Sequence, residues 1–263
     1  MCLILFAWQT DPRYPLILAA NRDEFYSRPT ERAAFWPDAP NILAGRDLQG
    51  GGTWLGLTRT GRFAALTNYR DFRHPQHGER SRGLLVSDFL QSDAPPADYL
   101  DRLSRSGAKL GDFNLLVGDR HQLWYYSNRG TPPLEVPPGI HGLSNHLLDT
   151  PWPKVAEGSA ALAALLRRGP DRSPTDIFLI LANRQPAADR LLPDTGVGRE
   201  RERLLSSAFI ASPEYGTRSS TLLFFSSSDM ATFIERTFDA PDVYRDCAFR
   251  FPLLAPPPAR GGI

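Results

Sequence analysis

Cysteine is scarce: Cys2 and Cys247 are the only two in 263 residues. Two thiols cannot make a disulfide framework, and neither stands in a CxxC or Cys/His spacing, so a stapled secreted scaffold and a structural zinc site are both excluded. Lysine is as rare, since all but Lys109 and Lys154 of the 30 lysine and arginine side chains are arginines. Genomic base composition produces the same bias, so it carries no functional reading. Charge of one sign is missing too: the net charge is +1 with no run of like charges, which gives no electrostatic basis for a nucleic-acid partner. No apolar run is long enough to span a bilayer. The opening Met1 to Trp8 is apolar but short, with no basic leader and no small-residue cleavage site. The expectation is a cytoplasmic protein of a reducing compartment, without stable membrane insertion.

The common catalytic signatures are also absent, namely GxSxG, HExxH, a phosphate loop ending in Gly-Lys-Ser/Thr, and GxGxxG after a strand. Gly50-Gly51-Gly52 has no helix immediately behind it to cradle a phosphate, and reads as a turn with close backbone approach. The five histidines, at positions 74, 77, 121, 141 and 146, are scattered. His74 and His77 share a loop with Pro75 and read as surface residues. No metal and no cofactor is expected.

At 41% hydrophobic and 22% charged, the chain can bury one substantial core, and a single domain over residues 1–251 is expected, followed by a loose Pro/Gly-rich tail at 252–263. The pattern begins with strands at Cys2 to Trp8 and Leu16 to Ala20, forming a hairpin. An irregular proline-rich stretch follows from Arg28-Pro29 to the glycines, and then a second hairpin, Thr53 to Thr58 with Phe63 to Asn68. Helices are predicted at Ser81 to Gln91 and Pro95 to Ser104, and strands at Asn114 to Gly118, Gln122 to Tyr126 and His141 to Asn145. Two more helices, Lys154 to Arg168 and Thr175 to Asn183, precede a last hairpin, Thr221 to Phe225 with Ala231 to Phe238. This order argues for α+β layering, with mostly antiparallel hairpin sheets and helices packed outside.

Two features carry chemistry. Cysteine at position 2 becomes the first residue if Met1 is trimmed, placing a thiol and a free α-amine on one carbon; such an amine titrates near about 8, so it can relay the thiol proton at neutral pH. Taken alone, Cys2 reads equally as a small apolar residue opening a buried strand. The second feature is Asn21-Arg22-Asp23-Glu24, a dense polar cluster at the end of an apolar strand. Such a cluster must be solvated or meet a partner, because buried unpaired charge costs several kcal/mol. One hairpin away from Cys2, it could hold and polarise the amine and thiol.

These residues, with Arg28-Pro29-Thr30, Gly51-Gly52-Thr53-Trp54-Leu55-Gly56, Thr67-Asn68-Tyr69-Arg70, Asn114 to Asp119, Gly142-Leu143-Ser144-Asn145 and Tyr215 to Thr221, resemble the NRDE family, the family of transport and Golgi organisation protein 2. The resemblance spans nearly the whole chain. That family is in turn similar to the N-terminal nucleophile hydrolases, which implies a four-layer αββα sandwich. Among those, the penicillin V acylases and bile-salt hydrolases place a cysteine after the initiator methionine.

By that resemblance Cys2 matches the nucleophile, Asp23 the aspartate holding the terminal amine, and Asn68 and Asn145 the asparagines of the oxyanion site. Arg218 matches the late arginine, and Asn21, Arg22, Glu24, Trp54, Tyr69 and Arg70 become candidate substrate contacts. One departure stands out: those acylases carry an arginine three residues before the aspartate, where this chain has Ala20 and keeps its arginine at Arg22. The implied function is a hydrolase or acyltransferase acting on a non-peptide amide or thioester. The alternative is a non-catalytic carrier of haem, acyl-CoA or a lipid-like ligand, since the animal relatives are linked to haem trafficking and acyl-CoA homeostasis.

Overall fold

A computed structural model describes residues 2–76, 78–130, 132–169 and 172–255. Along the chain run β1 (Cys2–Trp8), β2 (Leu16–Phe25), β3 (Thr30–Trp36), β4 (Ala39–Asp47), β5 (Leu55–Thr58), β6 (Phe63–Asn68), α1 (Gly83–Gln91), α2 (Pro96–Arg105), β7 (Phe113–Gly118), β8 (Leu123–Ser127), β9 (Leu134–Glu135) and β10 (Gly139–Leu143). After these come α3 (Pro153–Arg167), α4 (Pro174–Leu181), α5 (Arg199–Leu204), β11 (Tyr215–Phe225), β12 (Met230–Ala240) and β13 (Val243–Pro252). One antiparallel sheet has the order β10-β1-β2-β11-β12-β13, the other β3-β4-β5-β6-β7-β8-β9.

Strand alternation explains how these stack. Both faces of β1 are apolar, so it is buried on both sides. Ile4, Phe6 and Trp8 point with Leu16, Leu18 and Ala20 into the core between the sheets, where Leu57, Phe63, Leu116 and Phe233 meet them. Leu3, Leu5, Ala7, Ile17 and Ala19 point the other way, onto Val155 and Leu162 of α3 and Ile177 and Leu181 of α4. A third apolar layer joins α1 and α2 to the outer face of the second sheet through Val86, Phe89, Leu100, Phe113 and Val117. Three cores between four layers make the αββα sandwich.

The polar cluster Asn21 to Glu24 does not end the strand; it lies inside β2, which runs on to Phe25 opposite Tyr215. The irregular reading of the segment after Pro29 is corrected as well. Most of it is the β3–β4 pair, whose alternation is masked by register shifts between Glu31 and Ala34 and again at Phe35/Trp36. Strand β13 also escaped the sequence reading, because as an edge strand it exposes its first four residues and every second one after them, keeping only Cys247, Phe249 and Phe251 against the core. Pro252 closes that strand and Leu253 is buried in the same core, so the chain is still held there. The part of the expected tail at residues 256–263 lies outside the described residues, as do Met1 and His77. His74 is exposed, as expected for the loop it occupies.

The glycine turn works through close approach. A Cβ at Gly52 would stand 2.4 Å from the carbonyl of Gly83, where α1 begins. Gly52→Ala therefore forces backbone apart and should cost about 1–3 kcal/mol in urea unfolding. A second test concerns His141, stacked on Phe6 with its Nδ1 donating to Asp149 Oδ2 at 2.7 Å and its Nε2 donating to the Pro137 carbonyl at 3.0 Å. Both partners only accept, so the ring is bound as imidazolium. The Asp149 hydrogen bond raises its pKa above the ordinary 6.5 despite burial. A raised value means the clasp contributes fully below the unfolded pKa and is lost as pH rises through the folded one. The unfolding temperature should fall over that window, and His141→Gln should remove the slope.

Candidate active site

Cys2 opens β1 and pairs with Arg22 on β2. Even-numbered residues of β2 face the gap between the sheets, so Arg22 and Glu24 continue the line of Leu18 and Ala20 where apolar packing gives out. There the sheets part around a cavity of about 480 Å3 lined by Cys2, Arg22, Asp23, Glu24, Trp54, Asn68, Arg82, Arg218 and Glu235, among others. Cys2 is 8% exposed. Burial pushes its thiol above the usual range and the Asp23 carboxylate adds to the rise, while the charge of the chain's amino terminus and Arg22 pull it down. Left to itself, the thiol is therefore a neutral nucleophile in need of a base.

Odd-numbered residues of β2 face the helices. Asp23 is buried, with Oδ1 accepting from Thr217 Oγ1 at 2.7 Å and its carbonyl accepting from Tyr215 Oη at 3.0 Å. Burial raises its carboxyl, against which the Lys154 ammonium is the strongest opposing influence, followed by the chain's amino terminus. Asn21, on the same face, is fully buried and lines neither of the cavities described here. Its Nδ2 donates to the carbonyls of Leu181 and Ala208 at 2.9 and 2.8 Å, and its Oδ1 accepts from Ser220 Oγ at 2.6 Å, so its whole amide ties α4 to the sheet.

Other candidates divide similarly. Thr217 pairs with Asp23 and Ser219 with Arg22, which makes Arg218 the extra residue of a bulge. Its Nη1 donates to the carbonyls of Phe25, Tyr26 and Arg28 at 2.9, 3.2 and 3.1 Å, bracing the end of β2 at the cavity rim. Asn68, the last residue of β6, lines the cavity and gives its carbonyl to Asn145 Nδ2 at 2.9 Å. Asn145 is fully buried and stands behind Asn68 as its support; it does not line the cavity. Arg70 forms a buried ion pair with Glu202 at 3.0 Å and covers Trp152. Tyr69 bonds His146 Nε2 at 2.8 Å.

Tyr69 and Arg70 belong to a second cavity, of about 700 Å3, walled by Phe25, Phe72, Pro75, Leu204, Leu205 and Tyr215. The two cavities share Glu24, Asn68, Gln76 and Arg82 as a common wall. The first is rich in arginine and the second largely apolar.

The sequence reading missed Glu235, Lys154 and Arg82. Glu235 is buried at the cavity wall, accepting from the Ala33 N–H at 2.8 Å, with burial raising its carboxyl. Its signal was readable: Ala231, Phe233 and Glu235 alternate, so a charge occupies an inward position. Among the described residues no cluster of His, Cys, Asp and Glu is arranged to hold a metal ion.

Two antiparallel sheets face to face between helical layers make the fold of the N-terminal nucleophile hydrolases, and here a thiol stands at the first residue of an interior strand. Solved structures share it. An N-acylethanolamine-hydrolyzing acid amidase ortholog of Caenorhabditis elegans matches with a TM-score of 0.50 at 11% identity, covering 84% of this chain and 92% of that one. A mutant conjugated bile acid hydrolase of Clostridium perfringens matches with a TM-score of 0.52 at 7% identity, covering 95% and 97%. Identities so low speak for the fold alone. The chain itself belongs to the transport and Golgi organisation 2 family, whose model matches residues 1–240. It is 38% identical to the transport and Golgi organization protein 2 homolog of Bos taurus over 271 residues, 93% of this chain and 96% of that one. It is 28% identical to the Drosophila melanogaster protein over 273 residues, covering 92% and 94%.

Asn21→Ala should cost about 2 kcal/mol or more of stability in urea unfolding, since two carbonyls and a hydroxyl lose their partner in a dry site. The alkylation rate of Cys2 in the folded variant should stay near that of the parent chain. A collapse of that rate without loss of stability would return Asn21 to the reactive site.

Proposed function

We propose that the chain, once Met1 is removed, is an N-terminal cysteine hydrolase or acyltransferase acting on a non-peptide amide or thioester. The observation that carries this reading is the place of Cys2, the first residue of an interior strand, at the wall of a charged cavity also lined by Arg22 and Asn68. Burial holds the thiol neutral, so a base is required. The freed α-amine of the same residue is the nearest one by construction. It takes the thiol proton as sulfur attacks the acyl carbon, Asn68 Nδ2 and a backbone N–H receive the oxyanion, and the α-ammonium returns the proton to the departing amine or thiol. Water, or an acceptor amine or alcohol, then attacks the acyl-cysteine and releases the acyl group. Asp23 holds the amine, acting from the helix side of the same strand end.

The adjoining cavities support a substrate in two parts. An acyl chain fits the apolar cavity of about 700 Å3, and a polar, anionic remainder fits the arginine-lined one, with the scissile bond at their common wall beside Asn68. The same pair of cavities favours, as a second reading, a carrier that binds an acyl-CoA-like or lipid-like ligand without cleaving it.

The experiment is intact-mass analysis of the purified chain with a thiol-reactive probe, followed by turnover of a panel of acyl amides and acyl thioesters. Loss of Met1, one adduct at Cys2 and hydrolysis abolished by Cys2→Ala are expected. Asn68→Ala should lower kcat by about 10²–10³ with little change in KM. Turnover that survives Cys2→Ala removes the hydrolase reading, and tight binding without turnover, unaffected by that substitution, establishes the carrier.

A further inference from the structure

Lys154 is a buried cation that the proposed reaction does not use. It is one of two lysines in the chain, it is 4% exposed, and among the described residues its Nζ makes no hydrogen bond. An ammonium has three donors, and leaving them all unspent in a dry site costs several kcal/mol. Its placement adds to that cost. Lys154 follows Pro153 in the first turn of α3, the positive end of the helix dipole, where cations are disfavoured. Burial draws it down to about 8. Packing gives no reason for a lysine, since the rest of the inward face of α3 is Val155, Gly158, Leu162 and Leu165.

The reason lies in the charges around it. Burial aside, the strongest influence on it is the Asp23 carboxylate, on the helix-facing side of β2, followed by Arg70 from the segment after β6, Cys2 from β1 and Glu202 from α5. Arg70 and Glu202 are paired with each other at 3.0 Å. Asp23 is therefore the anion that Lys154 serves, and apart from burial nothing acts on the Asp23 carboxyl as strongly as this ammonium.

We infer that Lys154 is a positioning residue of the Cys2 site: its ammonium, carried in from the outer helical layer by the first turn of α3, neutralises the buried Asp23 carboxylate and holds it ionised beside the amino end of β1. A protonated carboxyl there could not hold an α-ammonium. The role at Cys2 rests on the nucleophile reading given above; the Lys154–Asp23 coupling does not.

The test is a double-mutant cycle on the full chain in a Cys247→Ser background, using Asp23→Asn, Lys154→Met and the double variant. Thermal unfolding is read at about pH 7 and about pH 9.5, on either side of the Lys154 value of about 8. At the lower pH each single variant removes the strongest opposite charge acting on a buried group and should lose about 5 °C or more, and the double should recover most of that loss. Should Lys154→Met fail to fold, recovery of a folded double variant gives the same result. At the higher pH the coupling should vanish in the parent cycle, because the ammonium has lost its proton, and persist when Lys154→Arg replaces the parent lysine. A packing role gives no such pH dependence. Cys2 alkylation by iodoacetamide completes the cycle: both single variants should change its rate, and the double should change it no further than Asp23→Asn alone. Additive losses, or a coupling equal at both pH values, overturn the inference. A Cys2 that does not alkylate in the parent chain defeats the nucleophile reading instead, while the unfolding cycle still reports on Lys154 and Asp23.

Discussion

One hydroxyl anchors the start of β1. Ser144 Oγ donates to the Cys2 carbonyl at 2.9 Å, adding to the pairing of Cys2 with Arg22 on the neighbouring strand. The bond is the last link of a buried chain. Ser144 gives its own carbonyl to Thr67 Oγ1, Thr67 Oγ1 accepts from Asn114 Nδ2 at 3.0 Å, and Asn114 Oδ1 accepts from Tyr125 Oη at 2.8 Å. Thr67 and Asn114 are fully buried, and the chain crosses from one sheet to the other. Through the middle of the sandwich the sheets meet by apolar contact, which is non-directional and tolerates sliding. At the cavity end directional bonds take over, and a network with its members satisfied is rigid. The spacing between Cys2 and Asn68 is set there, because Thr67 and Asn68 are neighbours on β6 while Ser144 and Asn145 are neighbours after β10.

The alternation of β2 gives the polar motif two separate tasks. Arg22 and Glu24 face the cavity; Asn21 and Asp23 face the helices. A substrate would therefore meet Arg22 and Glu24 directly and Asp23 at the edge of the lining, while Asn21 would act through the backbone of the strand and through the α3–α4 layer. That layer is unusual in holding charge: Asp23, Lys154, Arg70 and Glu202 lie together under the helices. Buried ion pairs add little net stability when set against well-packed apolar groups. Their retention beside Cys2 fits a site in which electrostatics is arranged for the thiol and the amine.

Much of this was legible. The hairpin β1–β2, the pair β5–β6, the helices α1 to α4 and the layering follow from periodicity, because each of those elements has an apolar face to bury. Strands β3 and β13 were not legible, being edge strands whose polar outward residues, bulges and neighbouring prolines hide the alternation. At the site, the sequence pointed to the right strand but could not assign its faces. That assignment depends on which side of β2 the helices pack, and the bulge that displaces Arg218 depends on the partner strand β11. Lys154 gave only its rarity as a signal, in a helix whose composition otherwise reads as packing.

The burial of Cys2 also bears on how such a site would be switched on. Desolvation works against the thiolate, so chemistry at Cys2 depends on a base within reach of a sulfur that little solvent touches. With Met1 in place, the nitrogen of Cys2 is a peptide amide with no basicity and one bond to satisfy within the strand. Removal of Met1 would turn that same nitrogen into an amine on a residue that Ser144 holds by its carbonyl and Arg22 holds from the neighbouring strand. The scaffold does not need to move for this to happen. On the reading proposed above, a preformed cavity and a pinned strand end mean that a single cleavage would supply the base that the buried thiol needs.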